Sequence, residues 1–333
     1  MQRGPYGATG PPTMGLPSAA PVAFRTLPPR AVPLLSSGRL AKAAPGDHLR
    51  QQVVAATVSL LVPWSVFTVN VALLSFTMHY RHSQLCWFVV ELEAALVAVC
   101  AALAFFAVKN RRAGDTNRDP TWHLFVFASL AFAWSAGLSL GMTNYNTNML
   151  GYYDITSLEL YPLLDPSAAS GAQLLDAGRI VFATDAYMSQ ALSYGVENGA
   201  MYCVTPITAG RAPLASYDFW AVGKDCCSAG QGAEVAFNCS IPRLGLPLAG
   251  MRLLDEGDTE SFRLALKKLE MSRGIRADHP LFFVLTEDPI AELSQRQDRG
   301  LRFFIVSTLF HFAFQLFLVA LVAVRLNASS LVK

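Results

Sequence analysis

The chain has 333 residues, of which 53% are hydrophobic and only 15% charged, with a formal net charge of +2. A soluble domain carries about a quarter charged residues, so this composition points to a bilayer as solvent. The near-neutral charge argues against nucleic acid as a partner, because a nucleic-acid binder concentrates a basic face to neutralise phosphates.

Residues 1–50 form the first segment. No acid occurs before Asp47, Pro, Ala and Gly abound, and no hydrophobic period is visible, so a disordered cytoplasmic arm is expected. The acid-poor stretch Phe24 to Lys42 also has the character of an organelle transit peptide. With no apolar segment ahead of Val53, the first span would serve as an uncleaved signal anchor.

Crossing a hydrocarbon core takes about 20 mostly apolar residues in helical form. Four runs qualify: Val53 to Phe76, Leu85 to Val108, Trp122 to Gly141, and Leu301 to Val324. The domain plan is therefore residues 51–141 for spans one to three, 142–300 for a large extracytoplasmic domain, 301–325 for span four and 326–333 for a short cytoplasmic tail. Lys and Arg set the orientation. Arg3, Arg25, Arg30, Arg39, Lys42 and Arg50 precede span one, and Lys109, Arg111, Arg112 and Arg118 follow span two; the first outer loop holds only Arg81. Both termini are thus expected in the cytoplasm of a plasma membrane or endomembrane, with an organelle inner membrane as the alternative. Arg296, Arg299 and Arg302 at the outer entrance of span four pull the other way, but long loops translocate largely regardless of charge.

Within the spans, the polar residues are the functional candidates, since each is costly in lipid unless paired. They are Asn70, Glu91, Glu93, His311 and Gln315. A proton or cation relay between Glu91 or Glu93 and His311 is the sharper reading; interhelical hydrogen bonding that fixes the bundle is the plainer one. Pro63 is expected to kink span one. Gly137 and Gly141, with Ser135 and Ser139, give span three a small-residue stripe for close packing or for assembly with another chain.

Cys203, Cys226, Cys227 and Cys239 all fall in the domain after span three. An even set in one exposed domain implies disulfides and an oxidising compartment. Neighbouring cysteines bond poorly to each other, so Cys226 and Cys227 are expected to pair separately with Cys203 and Cys239; a redox-active vicinal pair or a metal site is the rival. Asn238-Cys239-Ser240 fits a glycosylation sequon and would make this a glycoprotein. The stretch from Thr143 to Tyr161, rich in Asn and Tyr, suggests an irregular collar. Strands are expected at Ile180 to Ala183, Met201 to Thr208, Tyr217 to Val222, Glu234 to Cys239 and Leu281 to Leu285. A helix is expected behind an N-cap at Asp258, with Phe262, Ala265, Leu266 and Leu269 packing one face on the sheet and Gly274 as its stop. A further helix opening at Pro289 runs on into span four. The fold class is a membrane α-helical bundle of four spans with an α+β, disulfide-stapled extramembrane domain.

His79 and His82 are compatible with a metal, and Asp255, Glu256, Asp258 and Glu260 with calcium, but neither set is complete. No P-loop or nucleophile elbow occurs, so no cofactor, resident metal or catalytic residue is expected.

The short first outer loop, the large second one, the adjacent Cys226-Cys227 pair and the polar Asn70 and Gln315 in outer helices resemble a tetraspanin. The cysteine pattern departs from that family's, because Cys203 precedes the pair and Ser228 stands where its glycine would. The phrases Tyr202-Cys203-Val204-Thr205-Pro206-Ile207 and Phe219-Trp220-Ala221-Val222-Gly223 resemble uncharacterised multi-span membrane proteins of alveolate protists. The stapled domain, the small-residue stripe and the absence of a catalytic motif lead to the expectation of a non-enzymatic membrane organiser that binds a partner through its extracytoplasmic domain, with lipid and other membrane proteins or a second copy as partners. The alternative is a transport or channel component using Glu91, Glu93 and His311.

Overall fold

The computed structural model describes residues 45–113, 120–210, 212–228, 230–231, 236–239 and 246–331. Two units separate, Met1–Arg50 and Gln51–Lys333. Of the first, residues 45–50 are described and are helical, so the expected arm is helical at its end; residues 1–44 lie outside the described residues.

Four helices are long and apolar enough to cross a membrane. They are α1 (Pro45–Ser75), α3 (Ser83–Arg112), α4 (Thr121–Asn144) and α7 (Pro289–Leu331), with the short α2 (Thr77–Arg81) between α1 and α3. The spans begin and end close to the hydrophobic runs of the sequence, except that the third continues to Thr156, well past Gly141, and the fourth starts at Pro289, well before Leu301. Pro63 lies inside α1.

The residues after α4 correct an expectation. In place of an irregular collar, a π-helical turn (Tyr145–Met149) leads directly into α5 (Leu150–Thr156). Tertiary partners make this possible. Asn144 Nδ2 donates to the Gly300 carbonyl at 3.1 Å, and Asn148 Nδ2 donates to Asn144 Oδ1 at 2.9 Å. Met149 packs so closely on Gly300 that any side chain there would collide with it. Asparagines that compete with helix in isolation are thus occupied in holding α4 and α7 side by side.

Between α5 and α7 lies one mixed sheet. Among the described residues its strands are β1 (Glu159–Leu164), β2 (Ala177–Phe182), β3 (Ala186–Met188), β4 (Tyr194–Asn198), β5 (Ala200–Ala209), β6 (Phe219–Lys224), β7 (Gly230–Gln231), β8 (Ala249–Arg252) and β9 (Leu281–Leu285). The order is β1-β2-β8-β9-β6-β5-β4-β7, with β3 on β5. β1 with β2 and β6 with β9 are parallel; the other pairs are antiparallel. β5 tolerates Pro206 because its partner changes there: β4 pairs as far as Val204, and β3 takes over at Ile207.

The helix α6 (Glu256–Arg273) covers one face. Phe262, Ala265, Leu266 and Leu269 pack on Val204, Trp220, Val222 and Phe282, as the sequence spacing predicts. Its N-cap is Asp255, however, not Asp258. Asp255 Oδ1 accepts the Asp258 N–H at 2.9 Å, and Gly274 closes the helix at φ 66°. An acid three residues further on sits inside the first turn, where the helix dipole favours it. The strand expected at Glu234 to Cys239 lies partly outside the described residues, and Ala236–Cys239 is not strand.

A buried carboxylate ties the sheet to the loops beside it. Asp218 accepts from Ser216 Oγ at 2.6 Å, Gly171 N at 2.8 Å, His279 N at 3.3 Å and Ser170 Oγ at 3.4 Å. Burial pushes its pKa up, but these hydrogen bonds outweigh burial and hold it below the usual carboxylate range. A depressed folded-state pKa means stability that is fully present above the unfolded value of about 4 and is lost as pH falls through the folded one. Asp218→Asn exchanges an acceptor for a donor facing two backbone N–H groups, which should cost about 1–3 kcal/mol. Melting in detergent checks both points: the variant should melt lower at neutral pH and show a flatter acid limb than the wild type.

Candidate functional site

Two places bring the sequence candidates together, one between the long helices and one in the sheet.

Between the helices, Asn70 on α1 is fully buried and its Nδ2 donates to Glu93 Oε2 on α3. Small residues on α4 let that helix come close to α1 beside this pair. A Cβ at Gly137 would come within 2.9 Å of Asn70 Cβ and 3.2 Å of the Phe67 carbonyl; one at Gly141 would come within 2.9 Å of Leu74 Cβ. Glu91 is not part of this contact. It sits on the exposed face of α3, among Trp87, Phe88 and Leu92. Glu93 is half-buried.

His311 and Gln315 on α7 face α1. The His311 ring stacks on Phe67 with centroids 4.0 Å apart and planes 4° from parallel, and neither ring nitrogen has a hydrogen-bond partner in the protein. Gln315 Nε2 donates to the Ser59 carbonyl at 2.8 Å, leaving its Oε1 unpaired. Trp64 Nε1 donates to the Thr308 carbonyl at 3.3 Å. The expected direct pairing of His311 with a glutamate is therefore not what the side chains make: Glu93 meets Asn70, and His311 meets Phe67.

Ser59, Thr308 and Phe67 were not singled out from the sequence. The signal was available in their spacing, since Thr308, His311 and Gln315 recur at three and four residues and so share one helix face. A lone Ser or Thr in an apolar run gives no such warning, because it can satisfy itself on the preceding turn, as Thr57 and Ser65 do.

In the sheet, Cys203 bonds Cys227 and Cys226 bonds Cys239. Cys203 stands on β5 between Gly195 of β4 and Gly223 of β6. Both glycines are required by the sulfurs: a Cβ at Gly223 would lie 2.6 Å from the sulfurs of Cys226 and Cys239, and one at Gly195 would lie 2.9 Å from that of Cys227. Cys203, Cys226 and Cys239 form the one three-member grouping of metal-capable side chains among the described residues, and all three are engaged in disulfides. The free cysteines, Cys86 and Cys100, both lie on α3.

The remaining candidates have structural occupations. His79 packs edge-on to Tyr145 and Trp87, and burial lowers its pKa; His82 is exposed. Asp255 caps α6, and Asp258 pairs with Lys224. Asn238 is exposed, as a glycan acceptor must be, while Ser240 of its sequon lies outside the described residues. An open cleft of about 490 Å³, lined in part by Asp154, Arg252, Asp255, Glu256 and Arg296, lies where α5, the β8–α6 connection and α7 meet.

No family model, curated protein or solved structure matches this chain.

Proposed function

We propose that this chain is a non-enzymatic multi-pass membrane protein that organises or binds other membrane proteins, with its disulfide-stapled domain outside the cytoplasm and both termini inside. The observation that carries this reading is the outward face of α3. Only 11% of its apolar window is buried within the protein, against 39% for the first span, and Glu91 sits exposed on it. Glu91 follows the helix start at Ser83 by eight residues, about 12 Å along the axis. An ionisable side chain at that depth faces protein or water far more often than lipid. A neighbouring transmembrane helix that offers a hydrogen-bond donor at this level fits the face.

The mounting of the outer domain supports the same reading. Helical backbone enters the domain from α4 through α5 and leaves it along α7, and Asn144 and Gly300 lock the two. A partner gripped outside would be held in fixed relation to one gripped inside the membrane. The basic residues before span one and after span two support the orientation, as do the oxidised cysteines. The tetraspanin-like layout points the same way.

The test places a photoreactive residue at Phe88 or Leu92 in the native membrane. Protein adducts that disappear in Glu91→Leu, with the outer disulfides intact, are the expected result. Adducts to lipid alone, unchanged by that substitution, would overturn the reading.

A further inference from the structure

A line of buried polar side chains runs along the contact of α1 with α7, and most of it has no partner. Ser59, Asn70, Thr308, His311 and Gln315 are each at least nine-tenths buried. Unpaired among their atoms are Ser59 Oγ, Asn70 Oδ1, Thr308 Oγ1, Gln315 Oε1 and both nitrogens of His311. Leaving such a group dry costs about 1–3 kcal/mol apiece, so several on one seam call for an occupant. A neutral imidazole sharpens the requirement. In either tautomer it carries one N–H and one lone pair, so His311 needs both an acceptor and a donor. Water is the one small molecule that supplies both and also satisfies hydroxyl and amide oxygens.

Helical spacing keeps the polar residues on one face of each helix, with Pro63 and Phe67 between Ser59 and Asn70. Ser59, Pro63, Phe67 and Asn70 follow one another by four, four and three residues on α1, as Phe304, Thr308, His311 and Gln315 do by four, three and four on α7. From Ser59 to Asn70 the line covers about 16 Å, roughly half the hydrocarbon thickness. Its outer end is coupled to a carboxyl group, because Asn70 donates to Glu93. Its inner end holds the Gln315 amide on the Ser59 carbonyl. The Phe67 ring stacks directly on His311 and the Phe132 ring lies further off at 6.3 Å; neither pairs the imidazole nitrogens.

We infer that the seam between α1 and α7 takes up a file of water molecules and passes protons along it, with His311 as the relay. This goes beyond the partner-binding reading and does not depend on it. In the step itself, one imidazole nitrogen accepts a proton from a protonated water on one side, leaving neutral water, and the other nitrogen gives its proton to a water on the opposite side, which carries the charge onward. The ring returns to neutral as the opposite tautomer, a half-turn about its Cβ–Cγ bond restores the starting arrangement, no bond other than N–H and O–H changes, and the net result is one proton moved inward or outward. Glu93 is the titratable group at the outer end; the neighbours of His311 on α1 and α4 are aromatic.

Purified full-length protein in sealed vesicles containing a pH-sensitive dye, under a potassium diffusion potential, reads this directly. The expected result is proton entry above that of protein-free vesicles, falling by about tenfold or more in His311→Phe, which keeps the ring stack but not the nitrogens. Gln315→Leu should lower it as well. Melting of the same preparations separates relay from scaffold: His311→Phe should melt no lower than the wild type, since it removes no protein hydrogen bond. Wild-type flux equal to that of empty vesicles overturns the inference, as does flux that survives both substitutions. The crosslinks expected on the α3 face should be the same in His311→Phe, so the two proposals stand or fall separately.

Discussion

Replacing Cys203 and Cys227 together by alanine should leave the sheet domain between the third and fourth apolar helices unfolded or molten well below the melting temperature of the wild type. The bridge joins residues 24 apart, a closure worth about 3 kcal/mol in the chain-entropy model, and loss of a native bridge costs about 2–5 kcal/mol in small extracellular domains. Location adds to this figure. Cys203 is fully buried on a strand flanked on both sides and belongs to the same cluster as Phe182, Phe219 and Phe283. Deleting its sulfur leaves an apolar void in addition to the lost constraint. Gly223→Ala attacks the neighbouring bridge sterically, because the new methyl falls on both sulfurs of Cys226–Cys239. Overpacking of that kind costs about 1–3 kcal/mol. Near-ultraviolet circular dichroism of the detergent-solubilised protein on heating reports both. A strong reductant should take the wild type below the double variant and lower the variant further, because the Cys226–Cys239 bridge is still present in it. A double variant melting with the wild type would mean that the Cys203–Cys227 bridge staples nothing the sheet does not already hold.

How far these features could be read from the sequence depends on the range of the interactions behind them. Leu281 to Leu285 was readable as a strand because five apolar residues stand between Pro280 and Thr286, and the four long helices because nothing but a bilayer rewards such runs. The α6 core face was readable from spacing alone. The position of β9 between β8 and β6 was not, since β6 is some sixty residues upstream and no local signal names a partner. The same limit explains the misread collar. Tyr145 to Met149 has the composition of a loop, and only Gly300, about 150 residues away, makes it helical by receiving Asn144. In the four long apolar helices, the sequence holds five polar residues of equal standing. Packing sorted them: Asn70 and Glu93 together, His311 and Gln315 along α1, Glu91 outward. Hydropathy cannot make that distinction, because α3 is apolar on every side and gives no face preference.

The other large effect is expected at the contact of α1 with α4. Gly137→Leu should separate the two helices, and Gly141→Leu should do the same one turn further on. At Gly137 even a methyl would have to displace Asn70 Cβ at 2.9 Å and the Phe67 carbonyl at 3.2 Å; the second of these is backbone and cannot rotate away. Such overpacking costs about 1–3 kcal/mol, and here the displaced residues are those that hold the rest of the seam. Asn70 would leave Glu93, and Phe67 would shift beneath His311. Gly257→Ala is the contrasting case. It is an exposed glycine in the first turn of α6 whose nearest obstacle is 3.5 Å away, so the substitution should stabilise slightly, by at most about 1 kcal/mol. Denaturant titration in mixed micelles, following helix dissociation by a cysteine crosslink between α1 and α4, should show a much lower midpoint for Gly137→Leu than for Gly257→Ala. Equal midpoints for the two would mean that α1 and α4 are not in van der Waals contact. The close-packed core of the bundle, and with it the seam beside it, would then have to be redrawn.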